Sequence, residues 1–124
     1  NLSNSNPESI ISGDRWLSKS SFKRYSFIKL IINFLAQNII KLFYKAKISD
    51  FTFAYRIYPK SALSQIKINE LRHGFALELI LKPIKLGYKI INFPTKWKAR
   101  TEGKPTSSLL TYYSFLKVLI KNLF

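Results

Sequence analysis

The stretch GFALELILKPIKLGYKIINF, residues 74–93, decides the fold class. Its first half, Gly74 to Lys85, repeats apolar side chains at the period of a helix, and Pro83 is expected to kink or shorten that helix. Gly87 is well placed to cap the helix at its carboxyl end. Tyr88 to Phe93 (YKIINF) then predicts a strand, which Pro94 limits.

Both flanks continue this alternation of elements. Residues 20–46 predict one long helix or two in succession, because apolar residues recur close to every 3.6 positions. Residues 51–58 predict a strand, and a short helix is expected over Lys60 to Ile66. A polar loop at 98–107 precedes a final amphipathic helix at 108–124. The order indicates an α/β protein, and since two strands cannot form a sheet covered on both faces, we expect further strands from elsewhere.

Composition limits the possible functions. The chain has 124 residues, neither Cys nor Met, and a net charge of +15 from 21 basic and 6 acidic residues. The absence of Cys excludes a disulfide scaffold, a Cys-ligated zinc site and a thiol nucleophile, and the single His73 is expected to be structural. An apolar content of 47% is too high for a disordered polycation. The charge therefore predicts an anionic partner: nucleic acid, a membrane surface or a phosphate-bearing substrate.

No membrane-spanning segment is expected. The longest uncharged runs, 30–40 and 105–116, are shorter than the roughly 18–20 residues that a spanning helix needs. The chain begins at Asn1 in a polar run that lacks the basic-then-apolar pattern of a signal peptide. Of a mature N-terminus and a fragment of a longer protein, we favour the fragment.

Two acids and the arginines are candidates for chemistry. Asp50 stands directly before a predicted strand, a position where catalytic groups are often mounted. Glu78 lies in an apolar helix and is expected to pair with Lys82, because an unpaired buried charge is costly. Arginine suits bidentate phosphate binding. The five arginines are Arg15, Arg24, Arg56, Arg72 and Arg100.

The segment PTKWKARTEGK, residues 94–104, is a candidate phosphate-binding loop. Gly103 allows close backbone approach, and Arg100 and Lys104 supply positive charge, so the loop could wrap around a diphosphate. The alternative is an ordinary basic surface loop.

Four stretches in this order resemble the C-terminal half of glycosyltransferase family 2 enzymes of the dolichol-phosphate mannose synthase and polyprenyl-phosphate glycosyltransferase type. Ile11–Trp16 (ISGDRW) is similar to the family's Gly-Ser-Arg-Tyr/Trp segment, and Asp50–Arg56 (DFTFAYR) to its Asp-x-Thr-Ser-Gly-Phe-Arg. Gly74–Leu79 followed by Lys85–Ile90 is similar to its Glu-bearing apolar helix and Gly-Tyr-Lys strand entry. Pro94–Lys104 resembles Pro-x-x-Trp-x-x-Arg-x-x-Gly-x-Ser, so the resemblance covers nearly the whole chain.

The chain also departs from the family pattern. Ala54 replaces the usual Gly, and Pro105 stands where Ser is usual, with Ser107 and Ser108 displaced. The family's nucleotide-binding strands and its Asp-x-Asp metal motif would precede Asn1, and the chain contains no Asp-x-Asp. The resemblance therefore implies a partial enzyme that is inactive alone.

The resemblance implies that the chain forms part of an α/β GT-A fold, the Rossmann-like fold of nucleotide-diphospho-sugar transferases. Residues 1–124 would be the C-terminal part of one catalytic domain, with 108–124 as an amphipathic helix. The implied activity is inverting transfer of a sugar from a nucleotide-sugar donor to a polyprenyl or dolichyl phosphate, or a related glycan acceptor. Mg²⁺ or Mn²⁺ would be held by ligands outside this chain. The implied location is cytoplasmic and peripheral to the cytoplasmic membrane face, with no nucleic-acid partner.

The resemblance also implies roles for single residues. Arg15 and Arg24 would bind the acceptor phosphate, and Asp50 would be the catalytic residue, as an orienter or a possible base. A phosphate acceptor is already anionic near neutral pH, so positioning and charge neutralisation matter more than a strong base. The donor diphosphate would be bound by Arg100 and Lys104. Residues supporting these groups from behind would be Arg56, Glu78 and Trp97.

The helices at 20–46 and 108–124 could dock on a membrane, where each Lys near an anionic bilayer contributes about 1 kcal/mol. Packing of their apolar faces in a core is the alternative, and it is the usual use of an amphipathic helix. Two alternatives from other classes are a nucleic-acid-binding module and a membrane-surface interaction protein without an active site. Charge spread along the chain and the lack of a recognition motif speak against nucleic acid. Convergence of Asp50, Arg100 and Arg15 on one cleft would favour the transferase.

Overall fold

A computed structural model of the chain describes residues 1–23, 25–98, 101–103 and 109–123, with Leu109 described by its backbone alone. The described chain is of mixed α/β class. Its elements in chain order are α1 (Leu2–Ser5), β1 (Ile10–Asp14), α2 (Phe27–Tyr44), β2 (Arg56–Ile57), α3 (Lys60–Gln65), α4 (Phe75–Lys85), β3 (Ile90–Pro94) and α5 (Leu109–Leu123).

A three-stranded mixed sheet organises the described chain, with strand order β2-β1-β3. The central strand β1 runs parallel to β3, with Ile10 opposite Ile90 and Asp14 opposite Pro94, and antiparallel to β2. The parallel pairing brings the carboxyl ends of β1 and β3 to the same edge of the sheet. In open α/β sheets, ligands bind at this edge.

The predicted helix–strand unit at 74–93 is found almost as expected. Helix α4 runs through Pro83 without ending there. Beyond Lys85 the chain turns at Gly87, whose φ of +86° lies in the left-handed region that favours glycine. The Gly87 and Tyr88 N–H groups donate to the carbonyls of Ile84 and Pro83, at 3.0 and 3.1 Å, which satisfies helix-end acceptors. Strand β3 follows directly.

The strands differ more from expectation. β1 is not among the predicted strands, and the strand predicted over residues 51–58 is reduced to the two residues of β2. The reason lies in side-chain bonds that hold the preceding loop: the Phe51 N–H donates to Gln37 at 2.8 Å, and the Phe53 N–H donates to Asp50 at 3.2 Å. Backbone groups that would pair in a longer strand are used for these contacts.

The apolar core lies between the sheet and helices α4 and α5. Its buried members come from β1, the end of α2, the following loop, α4 and α5, and include Ile10, Ile40, Ile48, Phe51, Leu77, Ile80, Leu81 and Val118. Burying such side chains contributes roughly 1.5–3 kcal/mol each to the free energy of unfolding. The core is thus built mainly around α4, whose inner face is fully buried.

Helix α2 is exposed instead of buried. Only Gln37 and Ile40 of its 18 residues are buried, whereas Phe27, Ile28 and Leu42 are each at least 70% exposed. By length and composition alone, α2 is long and apolar enough to cross a membrane, although its lysines keep every uncharged run shorter than a spanning helix.

Glu78 is fully buried on α4 and is bonded as expected. Its carboxylate pairs with Lys82 Nζ at 2.6 Å and accepts the N–H groups of Asn69 and Glu70 at 2.9 and 2.8 Å. Burial by itself would raise the pKa of Glu78, but the Lys82 and backbone hydrogen bonds, with the Lys82 charge, outweigh it and lower the pKa. The carboxylate therefore fastens the loop before α4.

Because the folded-state pKa of Glu78 is lowered, its contribution to stability is present above the pKa of the unfolded chain, about 4.3, and is lost as the pH falls through the folded-state pKa. We expect Glu78→Gln to lower the free energy of unfolding by about 2 kcal/mol at pH 7 and by less at pH 3. Urea denaturation at both pH values measures the difference. The exposed Glu102→Gln is the control, and an equal loss in Glu78→Gln at both pH values would contradict the assignment.

Candidate functional site

The centre of the site is an ion pair between Arg15 and Asp50. Arg15 Nε donates to Asp50 Oδ2 at 2.7 Å and Nη2 donates to Oδ1 at 2.9 Å, so the pair is bidentate. The Arg15 backbone N–H also donates to Oδ2, and the Phe53 N–H donates to Oδ1. Asp50 is fully buried and the Arg15 side chain is 11% exposed. All four acceptor directions of this carboxylate are thereby used.

A second pair of side chains, Asp14 and Ser49, connects the same two segments of the chain. Asp14, which ends β1, accepts a hydrogen bond from the Ser49 hydroxyl and accepts the backbone N–H of Trp16 at 2.8 Å. Residues 14–15 and 49–50 therefore exchange side-chain bonds across a sequence separation of 35. Asp14 is fully buried, and its role was missed because it follows only two apolar residues, Ile10 and Ile11. Its position directly before Arg15 is the one sequence signal that could have pointed to it.

Aromatic rings enclose the Arg15 guanidinium. Its central carbon lies 4.9 Å from the Phe53 ring centroid and 5.6 Å from those of Phe22 and Trp97. Rings at these distances attract a cation through their negative faces. Phe22 has a φ of +67°, a left-handed conformation that costs about 1–2 kcal/mol for a residue with a side chain. The enclosure keeps the guanidinium orientation fixed.

Trp97 reaches this cluster through the segment that follows β3. Its backbone N–H donates to the Ser21 hydroxyl at 3.1 Å, and that hydroxyl donates to the Thr95 carbonyl at 2.9 Å. Gly13 permits the approach from the other side, since a Cβ there would lie 2.6 Å from Thr95 Oγ1. The beginning of the 94–104 segment is thus seated beside Arg15.

Gln37 ties α2 to the same centre. Its side chain accepts the Phe51 N–H at 2.8 Å and donates to Thr52 Oγ1 at 3.0 Å, while Thr52 also accepts a bond from Arg15 at 3.2 Å. A movement of α2 would therefore change the contacts of the Arg15–Asp50 pair. In the sequence, Gln37 stands out only as a polar side chain in an apolar helix.

Arg56 lies behind the pair and is bonded to backbone. Its guanidinium donates to the carbonyls of Ala76, Asp50 and Phe51, at 2.8, 3.2 and 2.8 Å, and to the Ser12 hydroxyl at 3.1 Å. These bonds join the loop at 50–51 to β1 and to the start of α4. Arg56 therefore holds the loop at 50–51, β1 and the start of α4 together.

Two cavities flank the site. One, of about 190 Å³, is lined by Trp16, Gln37, Lys41 and Ser49 among others. The other, of about 180 Å³, is an apolar groove between α2 and α5 that reaches Thr52. Gln37 lines the first cavity and Thr52 lines the second, so both cavities reach residues that are bonded to each other beside Arg15.

The structure brings together three of the predicted site residues, Arg15, Asp50 and Trp97, with Arg56 directly behind them. Glu78 lies apart, bonded to the loop before α4. Arg24, Arg100 and Lys104 lie outside the described residues. Within the ranges that the structure describes, no three His, Asp or Glu side chains group as metal ligands.

Breaking the buried pair should destabilise the chain strongly. We expect Asp50→Asn or Arg15→Met alone to lower the free energy of unfolding by about 3–5 kcal/mol, because each leaves the partner's charge or polar groups uncompensated. The double variant Arg15→Met/Asp50→Asn should lose less than the two single losses added together. Urea denaturation measures all three, with the exposed Glu8→Gln as control. Strict additivity would show that the two side chains do not interact.

Comparison with known proteins identifies no family for this chain. No family model matches the chain, and no solved structure matches it.

Proposed function

We propose that this chain forms the acceptor side of an inverting glycosyltransferase that moves a sugar from a nucleotide-sugar donor to a lipid-linked phosphate at a membrane surface. The proposal includes a partial GT-A fold. The observation that carries it is the meeting of Arg15, Asp50 and Trp97, from three stretches that resemble family 2 enzymes, beside the carboxyl ends of β1 and β3. Ligands of open α/β proteins bind at such an edge.

The contacts favour distinct roles for the two charged residues. Asp50 accepts four hydrogen bonds and is fully buried, so it acts as a positioning residue and not as a base. Arg15 directs Nε and Nη2 towards Asp50 and Thr52, while Nη1 has no hydrogen-bond acceptor among the described residues. A guanidinium held in this way can present its remaining N–H groups to a phosphate without reorganising.

The chemistry needs little beyond this positioning. An acceptor phosphate oxygen attacks the anomeric carbon, a new carbon–oxygen bond forms with inversion, and the nucleoside diphosphate leaves with the electron pair of the broken bond. The attacking oxygen is already anionic near neutral pH, so the protein contributes orientation and positive charge. Arg15 supplies both in the described part of the chain.

The apolar surface of α2 and α5 supports a lipid partner. Large apolar side chains are exposed on both helices, including Ile28, Leu35 and Leu42 on α2 and Leu110 and Tyr113 on α5. Contiguous exposed apolar surface marks an interaction site. Because the opposite face of α2 is tied to the site through Gln37, the helix would lie in the lipid interface instead of crossing the bilayer.

The charge of α2 and α5 favours an anionic lipid surface over a second copy of the chain as the partner of their apolar faces. Neither α2 nor α5 contains an acidic residue, and both carry lysines, at Lys29 and Lys41 on α2 and at Lys117 and Lys121 on α5. Two such surfaces would repel each other, whereas an anionic bilayer attracts them. The apolar groove between the helices ends at Thr52, so a membrane-bound acceptor would approach Arg15 from the lipid side.

Sugar transfer tests the proposal directly. The whole natural protein that carries this chain is incubated with labelled nucleotide sugars and polyprenyl phosphate in phosphatidylcholine vesicles, with and without Mg²⁺ or Mn²⁺. We expect a labelled lipid product, and we expect Arg15→Lys to lower kcat/KM about 100-fold, because lysine keeps the charge but loses the fork geometry. Arg72→Lys, at an exposed position, is the matched control.

Thermal denaturation of both variants separates loss of activity from loss of folding. The proposal fails if no nucleotide sugar gives a lipid-linked product, or if folded Arg15→Lys transfers at the wild-type rate.

Vesicle co-sedimentation tests the membrane face separately. Leu42 is 75% exposed on α2 and Leu71 is 87% exposed in the loop before α4. We expect Leu42→Glu to weaken binding to phosphatidylcholine–phosphatidylglycerol vesicles by about tenfold or more, because one leucine side chain leaves the lipid and a like charge enters. Leu71→Glu adds the same charge outside this face and should bind nearly as wild type. Equal weakening in both variants would argue against docking by α2.

A further inference from the structure

A third cavity, of about 440 Å³, lies at the opposite end of the sheet from Arg15 and Asp50. It opens where α2 and α4 end and β3 begins. Its lining includes three lysines, Lys45, Lys47 and Lys89, together with Tyr44, Gly87 and Tyr88. None of the described residues that line it is acidic. The function proposed above does not use it.

The lysines exceed what the local helix ends require. The carboxyl ends of α2 and α4 each carry about half a negative charge, and a cation near such an end is stabilised. Two ends therefore account for about one of the three ammonium groups, which leaves an excess of about two positive charges. A phosphate monoester carries about −1.5 to −2 at neutral pH. The excess matches this ligand in sign and size.

A neighbouring lysine-lined cavity behaves differently. Two of the three lysines that line it have partners in the protein: Lys82 pairs with Glu78 and donates to the Lys67 carbonyl, and Lys85 donates to the Asn122 carbonyl at 2.5 Å. The ammonium groups of Lys45, Lys47 and Lys89 have no such partner among the residues that the structure describes. The positive charge of this third cavity is therefore available to an anionic ligand.

The walls of the cavity are held in place by backbone. The Lys47 carbonyl accepts a bond from the Asn92 side chain on β3 at 2.8 Å, and the Lys89 carbonyl accepts the Ile10 N–H on β1 at 2.9 Å. Lys45 has a φ of +49°, a left-handed conformation that disfavours a residue with a side chain. The backbone at Lys47 and Lys89 is thus held by hydrogen bonds to the sheet.

From these observations we propose that the cavity lined by Lys45, Lys47 and Lys89 binds a phosphate group. The group could belong to a soluble phosphate compound or to the headgroup of an anionic lipid, since both present the same chemistry. The proposal is independent of sugar transfer, because the cavity lies away from Arg15 and does not share its residues.

The first test titrates the whole chain with inorganic phosphate at low ionic strength, against chloride at matched ionic strength, and follows backbone amide signals by NMR. We expect shifts at residues 45–47 and 87–90. Lys47→Ala/Lys89→Ala should weaken binding by about tenfold or more. Lys19→Ala/Lys60→Ala removes the same charge at exposed positions elsewhere and should bind as wild type.

The second test measures binding of the same proteins to phosphatidylcholine vesicles with and without phosphatidylglycerol. A loss of phosphate binding confined to Lys47→Ala/Lys89→Ala identifies a soluble ligand. A loss of phosphatidylglycerol-dependent binding confined to that variant, without a response to inorganic phosphate, identifies a lipid headgroup. If both double variants behave alike in the two tests, or if neither probe binds, the proposal is wrong.

Discussion

The buried pair of Arg15 and Asp50 is the constraint on which the rest of the site depends. It joins the end of β1 to the loop after α2 across 35 positions of sequence, and it is bidentate, so it fixes orientation as well as distance. A buried pair of this kind adds little net stability but is costly to break, because either charge alone is poorly solvated. The loop at 50–55, the aromatic rings and Arg56 are all arranged around it.

Local pattern explains which parts of the fold were predictable. The α4–β3 unit has clear helical periodicity and a glycine turn, and its bounds agree with expectation within two residues. β1 depends on pairing with β3 some 80 positions away, and two apolar residues are too short a signal for such non-local structure. Arg15 and Asp50 were candidates by residue type and by resemblance, but their contact, and the bonds of Asp14 and Gln37, could be found only in the folded chain.

Helix α2 also shows what a sequence pattern leaves undetermined. Its periodicity predicts an apolar stripe, yet periodicity does not say whether protein or lipid covers that stripe. In the structure, polar Gln37 faces inwards and bonds to Phe51 and Thr52, while most of the apolar residues face outwards. This inversion of the usual pattern is understandable if the outer face has an apolar partner, since exposed apolar surface of this extent is unfavourable in water.

The net charge of +15 is therefore divided among different tasks. Arg15 and Arg56 are fixed by hydrogen bonds within the fold, and Lys82 and Lys85 stabilise carboxylate and carbonyl groups. Lysines on α2 and α5 border an apolar face, and those at the third cavity have no protein partner among the described residues. Arginines hold geometry because their fork makes several directed bonds, whereas lysines act as exposed point charges. An anionic partner would thus meet lysines first, and only a ligand that reaches the end of β1 would meet Arg15.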